Sequence, residues 1–168
     1  LMGITDIDTV NLIEEQGRSL DPSFMLYGEG WNMGTLPNEQ KAMIENNRKV
    51  PRVGFFNDFF RDTVRGSNQL EIKGYTSGDT YKTNDAIITM CDYGKFSSVE
   101  QSINYVECHD NATTFDKYSI CNRDEGESAI RRRCELANIM VLLSMGVPFL
   151  HAGQEFFDTK HGNANSYN

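Results

Sequence analysis

Four short apolar runs, each ending abruptly in a polar cluster, constrain the fold of this chain more than any other feature. Phe24 to Tyr27 lead into Gly28-Glu29-Gly30-Trp31, and Val53 to Phe56 lead into Asn57-Asp58. Ile103 to Val106 lead into Glu107-Cys108-His109-Asp110-Asn111, and Val147 to Leu150 into His151-Ala152-Gly153-Gln154-Glu155. Runs of this length, bounded by turn formers, read as buried strands. Helical patterns lie between them. Ile4, Ile7, Val10 and Ile13 recur at threefold spacing before Gly17, which predicts a helix over 4–16 with a glycine stop. From Ser128 to Met145, the residues Ile130, Cys134, Ala137, Val141 and Met145 recur every three or four positions before Gly146 and Pro148. Helix followed by short buried strand is the pattern of a parallel α/β sheet. Polar residues gathered at the C-terminal ends of successive strands point to a (β/α) barrel. A doubly wound sheet is the alternative, since it places ligands at the same ends.

A complete barrel takes about 250 residues, so a chain of this length holds roughly four β/α units. The expected architecture is therefore a partial (β/α)8 barrel. Residues 1–168 are then expected to be a fragment of one barrel domain, incomplete at both ends. The stretch from Thr63 to Ser98, with Gly66, Gly74, Gly78 and Gly94 among polar residues, is expected to make long excursions around the rim. Lys160 to Asn168 reads as a further rim loop.

Charge and composition narrow the partners. The formal net charge of -8 disfavours a phosphate backbone, which needs a cationic surface, so nucleic acid is not expected. No run approaches the roughly 20 apolar residues of a membrane span, so no membrane partner is expected. A neutral polysaccharide is compatible with both. Cys91, Cys108, Cys121 and Cys134 include no CxxC pair and no compact zinc spacing. They read as free thiols, with a disulfide or redox role as the alternative, and this slightly favours a reducing, cytoplasmic compartment without establishing one.

Two carboxylates stand in settings suited to chemistry. Glu29 lies between two glycines, which permit close approach of backbone and ligand, and beside Trp31. An aromatic wall favours the protonated form that a general acid needs. The competing reading is an exposed strand-end glutamate with Trp31 as a packing anchor. Asp110, flanked by His109 and Asn111, suits sugar hydroxyls or a developing positive charge. A local turn and capping network is its alternative. No HExxH, no acidic metal loop and no nucleophile elbow accompanies them, so neither a metal nor a cofactor is assigned. Glu29 and Asp110 are far apart in sequence, as two carboxylates converging from different barrel strands would be. Glycosidic cleavage uses such a pair, and a retaining enzyme also needs a nucleophilic carboxylate about 5–5.5 Å from the acid/base. No third acid has an equally convincing setting; Asp6 and Asp8 open a helix, where the dipole explains them. Asn57-Asp58 and Arg61-Asp62 form a lesser cluster, for substrate contact, loop bracing or surface ion pairing. Trp31 and Phe115 suit either sugar stacking or filling of the barrel mouth. His151, Gln154 and Glu155 are expected as polar supports.

Taken together, these segments resemble the α-amylase superfamily, glycoside hydrolase family 13, and within it the type I pullulanases. Tyr27-Gly28-Glu29-Gly30-Trp31 is similar to the fifth-strand motif, whose glutamate is the general acid/base. Phe55-Phe56-Asn57-Asp58 with Arg61-Asp62 resembles the sixth-strand segment. Asn104 to Asn111 resembles the seventh-strand motif, in which the histidine contacts the reacting sugar and the aspartate stabilises the transition state. Pro148 to Phe156 resembles the eighth-strand segment, and Asn165-Ser166-Tyr167-Asn168 the loop after it. Four positions depart from the usual pattern: Asn32 for aspartate, Cys108 for serine or lysine, Ala112 for histidine and Phe115 for tryptophan. These leave the reaction class intact and bear on subsite preference.

The resemblance implies the stretch following strand 4 through strand 8, with the nucleophilic aspartate just upstream of Leu1. It implies hydrolysis of α-1,6 branch linkages in pullulan, glycogen or starch-derived dextrins, with Glu29 and Asp110 catalytic. His109, Trp31, Asn111, Asn57 and Asp58 would contact substrate, and no cofactor is required. The isolated chain is expected to be inactive. The alternatives are another α-glucan hydrolase or transferase, or a non-catalytic α-glucan-binding half-domain.

Overall fold

The computed structural model describes residues 2–91, 94–164 and 166. Its elements, in chain order, are α1 (Ile7–Leu20), β1 (Leu26–Gly28), β2 (Val53–Phe56), α2 (Asp58–Val64), α3 (Thr83–Cys91), β3 (Ser102–Asn104), α4 (Thr114–Cys121), α5 (Glu127–Leu143) and β4 (Val147–Pro148), joined by short 3₁₀ turns. The strands form one four-stranded sheet in the order β1-β2-β3-β4. Leu26 pairs with Val53 and Phe55 with Ser102, both in parallel register. Parallel strands taken in sequence order, with helical crossovers, are the expected α/β architecture.

The chain divides into two compact units: Leu1–Phe56 with Tyr93–Ile103, and Asn57–Asp92 with Asn104–Asn168. The core of the first is Val10, Ala42, Ile44, Val50, Val53, Phe55 and Phe96. The Phe55 and Phe96 rings stack nearly parallel, with centroids 6.3 Å apart. Gln101, fully buried, donates its amide to the carbonyls of Asn47, Val50 and Val53. It thereby satisfies the backbone leading into β2, which would otherwise be desolvated at a cost.

Helix α1 begins where Asp6 caps it, its carboxylate accepting from the Thr9 amide at 2.8 Å. It does not stop at Gly17. It runs on to Leu20, because Gly17 is a packing site: an added Cβ would lie 2.4 Å from the Phe24 ring. The threefold apolar spacing also does not make one face. Each three-residue step drifts about 60° around an α-helix. Val10 is buried, while Ile4, which precedes the helix, and Ile13 are exposed.

The second unit packs Phe60 and Val64 of α2, Ala86 of α3, Val106, and Ala137, Met140 and Val141 of α5 into one core. Tyr118, Ile130 and Cys134 form a smaller one. Helix α5 matches its expected span but ends at Leu143, leaving Met145 outside it and exposed. The stretch from Thr63 to Ser98 is less irregular than its composition suggests, because it contains α3. All four cysteines are free thiols. Among the described residues, no helix is long and apolar enough to cross a membrane.

Candidate active site

In the first unit, Glu29 follows β1 directly and is half-buried. Backbone contacts on both sides hold it. The Gly3 amide donates to the Glu29 carbonyl at 3.1 Å, and the Ile44 amide to the Gly30 carbonyl at 2.8 Å. Both glycines are required by close approach. A Cβ on Gly3 would lie 1.7 Å from the Trp31 carbonyl oxygen, and one on Gly30 2.3 Å from the Phe55 ring. The Trp31 side chain beyond them is partly exposed, at 37%. The loop that follows is pinned by Lys41, which is buried and donates to Asn32 Oδ1 at 2.7 Å, Asn38 Oδ1 at 3.2 Å and the Gly34 carbonyl at 3.3 Å.

In the second unit, Asn57 is buried and caps α2, its Oδ1 accepting from the Phe60 amide at 3.1 Å. Asp58 accepts from the Tyr105 hydroxyl at 2.6 Å and from Arg61 at 3.0 Å. Arg61 also donates to Tyr105 and, through Nε, to Asp62 at 2.7 Å. The Arg61-Asp62 pair is therefore half of a partly buried network rather than a free surface ion pair. Burial raises the Tyr105 phenol well above its ordinary value, so it is a protonated donor toward Asp58.

The segment carrying His109, Asp110 and Asn111 is tied at its base by Glu107. That carboxylate is buried; one oxygen accepts from the Thr114 amide at 2.6 Å and the other meets His151 Nδ1 at 3.0 Å. Arg65, fully buried, donates to the Ala112 carbonyl at 3.1 Å. Within the turn, His109 Nε2 lies 3.5 Å from Asp110 Oδ1, and Asn111 adopts a left-handed backbone with φ 63°. The His109 imidazole is largely exposed and the Asp110 carboxylate partly so. Burial pushes the neighbouring Cys108 thiol up, so it is a weak donor to the Asp110 carbonyl rather than a thiolate.

His109, Asp110 and Asn111 thus share one braced turn, and Asp58 is held by its own network in the same unit. Of the expected supports, His151 meets Glu107, Gln154 donates to Asn138, and Glu155 accepts from the Gly153 amide. Phe115 packs against Phe157, and Arg131 lies over both rings. Tyr105, Arg65, Lys41 and Lys160 escaped the sequence reading. Isolated cations, such as Arg65 and Lys160 with partners distant in sequence, and a tyrosine inside an apolar run, carry no local signal. Of the final loop segment, Asn165, Tyr167 and Asn168 lie outside the described residues, as does Leu1. Among the described residues, no group of three His, Cys, Asp or Glu side chains could hold a metal ion.

No protein-family model matches the chain. Pullulanase of Bacillus subtilis (strain 168) is 43% identical over 99% of the chain, which covers 24% of that relative. Pullulanase A of Streptococcus pneumoniae serotype 2 is 29% identical over 95% of it. The crystal structure of pullulanase from Anoxybacillus sp. LM18-11, complexed with maltotetraose, superposes with a TM-score of 0.95 at 46% identity. It covers all of this chain, which corresponds to 25% of that structure.

The chain is pullulanase-like along its whole length.

The type I pullulanase of B. subtilis, complexed with maltose, superposes almost as closely, with a TM-score of 0.94. The chain spans about a quarter of the length of these pullulanases. Its four-stranded sheet corresponds to part of the pullulanase fold, so the α/β architecture is a barrel segment.

Proposed function

We propose that these residues form part of the catalytic barrel of a retaining debranching glycosidase acting on α-1,6 linkages in pullulan, glycogen or starch-derived dextrins. In this reading Glu29 protonates the departing glycosidic oxygen and then activates water against a glycosyl-enzyme intermediate. Asp110 stabilises the oxocarbenium-like sugar, and His109 and Asn111 orient it. Trp31 offers an aromatic face and Asp58 a fixed carboxylate. Asn57 contributes by setting the start of α2 beside Asp58. The nucleophilic carboxylate comes from outside these 168 residues, and the isolated chain is inactive. No cofactor takes part.

The observation that carries the reading is the match to pullulanases over 99–100% of the chain, including relatives crystallised with maltose and maltotetraose. It gains support from the site: Glu29 directly follows β1, and Asp110 lies in the turn downstream of β3. Residues at such strand ends carry the chemistry in barrels. In the full-length enzyme carrying these residues, Glu29→Gln is expected to cut pullulan turnover at least about 100-fold while substrate binding persists. Equal turnover by variant and parent would reject the role of Glu29. Release of the β-anomer as first product, followed by NMR, would reject retention. Pullulan hydrolysis by the purified 168-residue chain, lost on Glu29→Gln, would reject the external nucleophile.

A further inference from the structure

We infer that Lys160 is a positioning residue for Asp110, acting through the backbone on either side of it. Its ammonium donates to the His109 carbonyl at 2.5 Å and to the Asn111 carbonyl at 2.8 Å. One cation therefore clamps the two carbonyls that bracket the Asp110 residue. Asn111 sits in the left-handed region, which asparagine tolerates, and the Lys160 bond to its carbonyl helps to fix that conformation. Glu107 fixes the base of the segment through Thr114 and His151, but its contacts lie outside the 109–111 tip.

Lys160 is itself held in place. Asp116, buried on α4, accepts from the Lys160 amide at 2.8 Å, from the Gly162 amide at 3.2 Å and from the Thr159 hydroxyl. A continuous path thus runs from α4 through Asp116 and the 159–162 backbone to the Lys160 ammonium, and from there to the turn. Three bonds on one buried carboxylate leave that backbone little freedom, so the lysine acts as a fixed strut. Small displacements of a reacting group cost rate more than binding. Lys160 therefore affects the catalytic step more than substrate affinity.

This inference rests on the role proposed above for Asp110, and a double-mutant cycle in the full-length enzyme tests the two separately. Lys160→Met is expected to lower kcat on pullulan about 10- to 100-fold with KM changed less than about threefold. Lys160→Arg, whose fork can span two carbonyls, should recover most of that loss. In an Asp110→Asn background, Lys160→Met should have little further effect, because there is no carboxylate left to position. Thermal melting of each variant monitors folding, and Lys160→Gln replaces the Met variant if that one does not fold. An unchanged kcat in Lys160→Met, with Asp110→Asn inactive, would overturn the inference and leave the function standing. A loss equally large in the Asp110→Asn background would also overturn it, by showing a merely structural role. Parent-like turnover by Asp110→Asn would overturn the proposed function itself.

Discussion

The Tyr105 hydroxyl lies 2.6 Å from Asp58 Oδ1 and 2.6 Å from Arg61 Nη1, so one phenol bridges the two halves of an ion pair. Tyr105 and Arg61 are buried, while the Asp58 carboxylate is partly exposed. Tyr105→Phe removes the bridge and leaves the direct Arg61-Asp58 contact at 3.0 Å. The expected cost is about 1.5–3 kcal/mol, that of a buried hydrogen bond to charged partners. Denaturant unfolding of the domain carrying these residues should show a lower midpoint, with Asp58→Asn less damaging in the Phe background than alone. An unchanged midpoint would mean that the bridge contributes nothing to stability.

The fold was legible where hydrophobicity alone decides placement. Strand β2 occupies the apolar run Val53 to Phe56, and α5 buries Ile130, Cys134, Ala137 and Val141 as their spacing requires. It was illegible where buried polar groups with distant partners do the organising. Helix α4 buries Asp116 and Lys117, polar residues in a stretch whose sequence carries no clear apolar periodicity. Lys117 is in fact buried, its ammonium donating to the carbonyls of Gln69, Leu70 and Ile72. Gln101 and Arg65 behave likewise. Glu29 and Asp110 stand out in the sequence because glycines and a histidine mark them locally, and they lie directly after β1 and in the turn downstream of β3. The struts around them were not, since Lys160 reaches back across the chain to the turn it holds.

The close packing behind Glu29 predicts a contrast between its two flanking glycines. Gly30→Ala drives a methyl to 2.3 Å from the Phe55 ring and 2.8 Å from Ile44. The expected destabilisation is about 1–3 kcal/mol, that of overpacking a core. A comparable methyl on Gly28 meets only the flexible Met2 side chain, at 3.4 Å. Gly28→Ala should therefore cost well under half as much. Paired thermal melts check this, and equal losses at the two positions would show that the Phe55 contact is not what requires Gly30.

Asn32 Oδ1 accepts from the buried Lys41 ammonium at 2.7 Å. The other two acceptors of that ammonium, Asn38 Oδ1 and the Gly34 carbonyl, are neutral as well. Asn32→Asp keeps the acceptor and adds a negative charge, turning a neutral contact into a charge-assisted one. We expect a gain of up to about 1 kcal/mol, reduced by salt because residue 32 is exposed even though the lysine is buried. Measured melting points at low and high ionic strength test both parts. A loss of stability would mean that desolvating the new carboxylate outweighs its pairing.

Acid sensitivity should trace in part to Glu125. Its two oxygens accept from Arg133 Nη2 at 2.6 Å and Nε at 2.7 Å, and Arg133 donates in turn to the Thr76 carbonyl. The Arg133 hydrogen bonds hold the Glu125 carboxyl down to about 2, from an ordinary value of 4.5. In the unfolded chain the carboxyl takes up its proton at the higher pH, so acid favours unfolding across that interval. The stabilisation is therefore fully present above about pH 4.5 and is lost as the pH falls toward about 2. Glu125→Gln removes this dependence while leaving every other carboxylate in place. The difference in melting temperature between parent and variant should be largest near neutral pH and should shrink steadily on acidification through that window. A difference that stayed constant across it would assign the acid sensitivity to other groups, and would leave the Arg133 pair as a purely geometric tie to Thr76.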